Sequence, residues 1–487
     1  MVLARSATFA LAFAAALASS APALAQITPG NVLVLRVGDG NSALSNAATA
    51  VFLDELTPNG TFVQTVPLPT INNGAQRAVT CSGTATSEGG LTQSVDGRYF
   101  VVAGYGAAVG AASVANSASS VVPRVCARIG LDEGIDSTTA LTDAYSANNV
   151  RGAASWFGGE FWTAGTASAT NNPGVRFASS LGASTSTQLN QLITNIRRVD
   201  FFGGQLYCTS ASGSFFGVGT VGTGAPTGTG ELITLLPGLP AATGPSPFDF
   251  FFADAGTLYV ADDRTTGAGG IQKWVQNLGT WSLAYVLTPG AGIGCRGLSG
   301  FVQGGVATLF ATTTGNALVK VVDGGASSTV QTIATGATNT AWRGVRFVRT
   351  PASLTYVGTA CSTSAGTPAV GTAGGEPLAG NGTFQLTVDN LPAGSIVLLS
   401  VRVGLALPSG LPVPGAQPCT LAYVLPDVLA ATLPDPFGAA AVPLPLPAGA
   451  LLGGTALSTQ AFILDPALVG FALPMGSTDA MQIIVGN

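Results

Sequence analysis

The sequence predicts an all-β protein: a six-bladed β-propeller, closed by the first and last strands of the propeller region, followed by a small antiparallel β-sandwich. Three observations predict it. Apolar residues alternate or run in short blocks punctuated by Gly, Thr, Ser and Asn, and helix signals are nearly absent. A drifting unit of short strand, glycine turn and second apolar strand recurs along residues 26–351. Its last copy is a lone strand whose missing partners stand at the start of the same region.

The unit shows best in five segments. EGGLTQSVDGRYFVVAG starts at Glu88, VRGAASWFGGEFWTAG at Val150, IRRVDFFGGQLYCTS at Ile196, SPFDFFFADAGTLYVAD at Ser246 and CRGLSGFVQGGVATLFAT at Cys295. Each turns on Gly-Gly, Asp-Gly or Ala-Gly, the residue pairs that suit tight turns. Two further strands follow, as NALVKVVD and STVQTIAT do after Cys295. Arginine-marked starts at 151, 197, 296 and 343 recur at intervals of 46, 99 and 47 residues. The middle interval holds two units, with Asp249 in the arginine's place. Four antiparallel strands per roughly 40–50 residues is the pattern of a propeller blade.

The ends of the region complete it. WRGVRFVRT, from Trp342, supplies one strand and stops. NVLVLRVG, AVFLDELTP and GTFVQTVPLPT, the last after an Asn59-Gly60 hairpin turn, supply the other three. A composite blade of this kind leaves no free sheet edge and brings the count to six.

One blade also resembles an NHL repeat, through LYVAD at 258–262, a polar loop, and GIQKW at 270–274. That resemblance implies the propeller fold and little about activity. The chain as a whole is similar to exported bacterial propeller proteins with a C-terminal β-sandwich module. Within the NHL-like blade, Asp262 and Asp263 stand where a strand ends, and they read as turn caps rather than calcium ligands. Asp132, Glu133 and Asp136 in LDEGID read as a solvated hairpin turn.

Beyond the propeller, residues 352–380 read as a linker carrying the strand SLTYVGT, and 381–487 as the sandwich. Turn signals recur there about every 8–12 residues. The prolines of LPLPAG suit an edge strand.

At the other end, MVLARSATFALAFAAALASSAPALA has one basic residue, an apolar stretch and a small-residue exit. It reads as a signal peptide over residues 1–25 cleaved before Gln26, which implies a secreted, periplasmic or envelope protein. In an exported chain, six cysteines suggest disulfides. The expected pairs are Cys361 with Cys419, Cys81 with Cys126, and Cys208 with Cys295; buried thiols are the alternative for the last pair.

Much chemistry is excluded. The chain has no histidine, which removes Ser-His-Asp and Cys-His catalysis and the common zinc sites. Gly217, Gly219 and Gly222 match GxGxxG, but no helix pattern follows to hold a pyrophosphate. No cofactor, metal site or catalytic set is expected. Without its leader the chain carries 17 basic and 23 acidic side chains, a net of −6, with no basic run. Nucleic acid and anionic membranes are therefore poor partners. The longest apolar run after the leader, from Ala439, is broken by prolines and glycines, so no membrane span is expected.

One constellation remains. At or near the start of each blade's innermost strand stands a charged residue: Glu88, Arg151, Arg197, Asp249, Arg296 or Arg343. Such starts converge at one end of a propeller's channel. Four arginines and two acids form either a ring of ion pairs or a site for an anionic small molecule, polysaccharide or protein group, with Trp342 offering a stacking face. The favoured reading is a non-enzymatic binding, adhesion or scaffold protein. The alternative is a carboxylate-based lyase or glycoside-active enzyme using Glu88 and Asp249 on an anionic sugar.

Overall fold

A computed structural model of the chain describes residues 26–242, 244–447 and 454–486. The expected leader and the middle of the run after Ala439 lie outside the described residues. The described chain is all-β, with two 3₁₀ turns at Val114–Asn116 and Ala169–Asn171 and no α-helix.

Four separate four-stranded antiparallel meanders begin at Val150–Ala154, Ile196–Phe202, Pro247–Asp254 and Cys295–Gln303. Each is a chain of short hairpins, such as Ile196–Phe202, Gln205–Ser212, Phe215–Val221 and Ile233–Leu235. The Gly203-Gly204 turn in that example has φ of 55° and 80°, values an L side chain adopts poorly. The GxGxxG match at 217–222 falls largely on the strand Phe215–Val221, as expected of a segment with no helix after it.

A larger, nine-stranded sheet holds the early part of the chain. It contains Leu91–Gln93, Tyr99–Tyr105, Arg124–Gly130 and Ile135–Leu141 in antiparallel order. It also contains Ala341–Phe347, Val32–Val37, Ala48–Leu56 and Phe62–Pro67. The short strand Thr80–Ser82 bridges these two groups. Val32–Val37 thus pairs with a strand some three hundred positions later, Val32 opposite Phe347 and Arg36 opposite Trp342. The first strands of these sheets pack side by side in chain order, 91–93, 150–154, 196–202, 247–254, 295–303 and 341–347, and the last packs against the first.

After Pro351 two sheets share one apolar core. Ser353–Val357, Ala480–Ile484, Ala456–Leu464, Ile396–Val403 and Val428–Thr432 lie in that order in one sheet. Ala369–Ala373, Gln385–Asp389 and Ala440–Pro443 form the other. Val370, Leu386 and Ala440 from the second meet Leu399, Ile463 and Ile483 from the first. The stretch expected as a linker therefore supplies strands to both sheets. Ala440–Pro443 takes an edge position, with Pro443 at its end, whereas the prolines expected on an edge strand at 445 and 447 follow it outside any strand.

The cysteines divide differently from expectation. Cys361 and Cys419 are bonded. Cys81, Cys126, Cys208 and Cys295 are buried free thiols, a correction to two expected pairs. The reason is packing: Cys81 lies among Val51, Leu91 and Phe100, whereas Cys126 lies in a separate core with Tyr145 and Phe161. Cys208 packs near Trp162, and Cys295 in another core near Tyr259. Burial pushes the thiols of Cys81 and Cys126 up to about 12. Ellman titration of the denatured, unreduced chain is therefore expected to find four thiols, unreactive while the protein is folded. Two or none would contradict this arrangement.

Candidate functional site: a cluster of arginines among the first strands

The strand starts chosen from the sequence come together around a residue the sequence reading passed over. Arg198 follows Arg197 on Ile196–Phe202 and is 1% exposed. Its Nη1 donates to the carbonyls of Ser87 (2.9 Å), Arg151 (3.1 Å) and Arg197 (2.9 Å), tying the turn before Leu91–Gln93 to two of the four-stranded sheets. Gly90 and Gly152 let it lie flat, since a Cβ at Gly90 would stand 3.0 Å from its Nε. The signal for it in the sequence was the Arg-Arg doublet, of which only the first member matched the repeat.

The two acids are inside, not on a rim. Glu88 is 0% exposed. It accepts hydrogen bonds from Tyr105 Oη (2.6 Å), Asn149 Nδ2 (2.6 Å) and the Ser82 amide (2.7 Å), and Arg343 Nη1 stands 4.0 Å away. Asp249 is 2% exposed and faces Arg198 Nε at 4.0 Å. Burial raises both carboxyls above their ordinary range, against the pull of Arg343 and Arg198 respectively. Farther along, Arg346 Nη2 meets Asp200 Oδ2 at 2.7 Å, and Arg349 donates to the carbonyls of Gln93 and Ser94. The interior of the cluster is thus close to charge-balanced.

The remaining arginines are partly open to solvent. Arg197 and Arg296 share one acid, Asp263, at 3.6 and 3.5 Å, with all three side chains about one-fifth exposed. Asp263, expected only to cap a turn, is therefore the anion between two arginines. Asp262 does act as a cap, accepting from the Arg264 amide at 3.0 Å. Arg151 has no carboxylate within ion-pair distance among the described residues; it donates to Asn195 Oδ1 and the Ile196 carbonyl. Burial, then Arg197 and Arg198, lower its pKa to about 10, so it stays a cation at neutral pH.

Trp342 offers no stacking face, which corrects that expectation. It is 8% exposed, packed with Val32, Val34, Leu56 and Phe347, and its indole N–H donates to Asp54 Oδ2 at 3.2 Å. Neighbouring strand residues point to opposite faces, so an inward Arg343 sends Trp342 into the core. Trp156 packs edge-on against Phe201 at 5.0 Å, between sheets. Among the described residues no group of three or more His, Cys, Asp or Glu could hold a metal, and no helix is long and apolar enough to cross a membrane.

No family model and no curated protein matches the chain. Solved structures similar to it include the periplasmic gluconolactonase of Pseudomonas aeruginosa (12% identity, 74% of this chain and 92% of that one, TM-score 0.36). The Swd1 β-propeller domain of Myceliophteria thermophila is another (12%, 63% and 88%, TM-score 0.34). A puromycin hydrolase is a third (14%, 70% of this chain, TM-score 0.33), and the chain spans 46% of its length. Similarity at this level carries nothing about activity or ligand.

Proposed function

We propose that the chain is an exported binding protein, a closed six-bladed propeller whose channel mouth takes an anionic group, followed by a β-sandwich module. Support for the closed ring comes from the register of Val32–Val37 with Ala341–Phe347 and from the circular packing of first strands. Support for the site comes from one observation above all: Arg151 stands at the strand starts with no carboxylate partner, beside two more guanidiniums. At the open end, Arg197 and Arg296 share a single acid, Asp263, while Arg151 bonds, among the described residues, only to Asn195 and the Ile196 carbonyl. Planar guanidiniums so gathered suit a carboxylate, a sulfate or a sugar acid, which can accept paired hydrogen bonds.

Glu88 and Asp249, which a glycoside-active enzyme would need as acid and base, are buried beside arginines. Their burial supports a structural role for them and a binding role for the mouth. A thermal-shift panel of uronates and sulfated sugars is expected to show stabilisation at low salt that Arg151→Gln abolishes. Since exposed charges are screened beyond roughly 10 Å at 0.1 M ionic strength, the shift should shrink as salt is added. No shift with any member of the panel would overturn the proposal.

A further inference from the structure

At the mouth an acid stands beside the cations, and its setting bears on which anion fits there. Asp263 is held from both sides of one residue: its amide donates to the Ser246 carbonyl at 3.2 Å, and Ser246 Oγ donates to Asp263 Oδ1 at 2.6 Å. Arg197 Nη1 is engaged at the same strand start, with Ser246 Oγ (2.9 Å) and the carbonyls of Ser246 (3.3 Å) and Pro247 (3.1 Å). Gly294 lets the turn before Arg296 lie against this acid, since a Cβ there would stand 2.5 Å from the Asp263 carbonyl carbon. The backbone thus sets Asp263 and Arg296 side by side.

Arg296 uses only one corner of its guanidinium. Its Nε faces Asp263 Oδ2 at 3.5 Å. Nη1 and Nη2 make no hydrogen bond among the described residues, and neither is enclosed. The side chain is 21% exposed. Those two nitrogens form the fork that a carboxylate grips with both oxygens. An anion held there shares a guanidinium with Asp263 and lies next to Oδ2, whose one contact among the described residues is the long one to Arg296. Two like charges that close repel, so a bare anion fits poorly. A hydroxyl beside the anionic group replaces that repulsion with a charge-assisted O–H···O⁻ bond, of the kind Ser246 already makes to Oδ1.

We infer that the mouth selects a hydroxy-carboxylate, a sugar acid whose carboxylate sits on Arg296 Nη1 and Nη2 while a hydroxyl one or two carbons away donates to Asp263 Oδ2. The inference rests on the anion-binding reading of the mouth and narrows it. Sulfate and carboxylates without hydroxyls offer Asp263 no donor, so Asp263 is the residue that sets the specificity.

Calorimetric titration of the full chain from Gln26, at low salt, tests it with three probes. These are D-galacturonate, cyclohexanecarboxylate (a six-membered ring without hydroxyls) and inorganic sulfate. Galacturonate is expected to bind roughly tenfold tighter than either, the worth of about one charge-assisted hydrogen bond. Asp263→Asn should bring the three within about threefold of one another, as galacturonate weakens and sulfate gains. Arg296→Lys, which keeps the charge and loses the fork, should weaken galacturonate about tenfold. Galacturonate no tighter than the other two in the wild type, or a preference that survives Asp263→Asn, overturns the inference and leaves the anion reading standing. Binding of none of the three overturns both. If Asp263→Asn does not fold, the wild-type ranking decides alone.

Discussion

Trp342→Ala is expected to destabilise the protein by about 3–5 kcal/mol, the usual cost of emptying a large aromatic site in a packed core. Its ring fills space between the strand 341–347 and the early strands, against Val32, Val34, Leu56 and Phe310. The loss adds a polar component. Asp54 accepts from the indole N–H at 3.2 Å and from Arg36 Nε at 2.7 Å, and Arg36 lies directly opposite Trp342 in the ladder. Removing the indole takes away one of the acid's donors and the packing that holds the Arg36–Asp54 pair dry. Trp342→Phe keeps most of the volume and loses the hydrogen bond, so it should cost about 1 kcal/mol plus a smaller packing term. Urea unfolding of the three proteins checks both numbers. A loss below 1 kcal/mol for the alanine variant would mean that this seam contributes little.

The second large effect lies between two consecutive four-stranded sheets. Asp323 follows the strand Ala317–Val322 and reaches across to its neighbour sheet. Its Oδ2 accepts from Lys273 Nζ (2.8 Å) and from Tyr259 Oη, and its Oδ1 from Tyr285 Oη (2.7 Å). Lys273 also sits over both tyrosine rings, 5.6 and 5.2 Å from their centroids. Asp323→Ala strips three donors of their acceptor at once. A loss of about 3–5 kcal/mol is expected, as for breaking one side of a buried ion pair. Burial opposes ionisation of this carboxyl, but the hydrogen bonds from Lys273, Tyr259 and Tyr285 outweigh it and hold it below its ordinary value. A group depressed in the folded state stabilises fully above its unfolded pKa. The contribution of Asp323 should therefore be whole above about pH 5 and fade as the pH falls below about 4. Asp323→Asn should flatten that acid limb of the stability curve. An unchanged limb would contradict the assigned state.

Period and turn chemistry made the sheets legible. Every strand start picked out from Arg151 to Arg343 sits in the first three residues of the first strand of a four-stranded group. The pairing of the early strands with WRGVRFVRT also followed from pattern, because an unfinished unit needs its complement. Side-chain partnership was less visible. Nothing local to Asp263 says that it meets Arg197 and Arg296, which are 66 and 33 residues away in sequence. Arg198 was hidden behind a repeat-matching neighbour, although it is the one that spans the interior. Trp342 was misread because alternation along a strand was not applied to the residue beside an inward arginine. The free thiols of Cys208 and Cys295 match the alternative the sequence allowed, whereas those of Cys81 and Cys126 were hidden because sequence distance says nothing about which side of a sheet a cysteine faces, and these two face different cores.

The proposed site depends on both ends of the region closing one ring, and amide hydrogen exchange tests that proposal most directly. Peptides covering 32–37 and 341–347 should show equally slow exchange and open together, since their amides share one ladder. In Trp342→Ala both should speed up by the same factor. Fast exchange at 32–37 while 341–347 stays protected, or acceleration of only one of them, would contradict the closed ring and the site built on it.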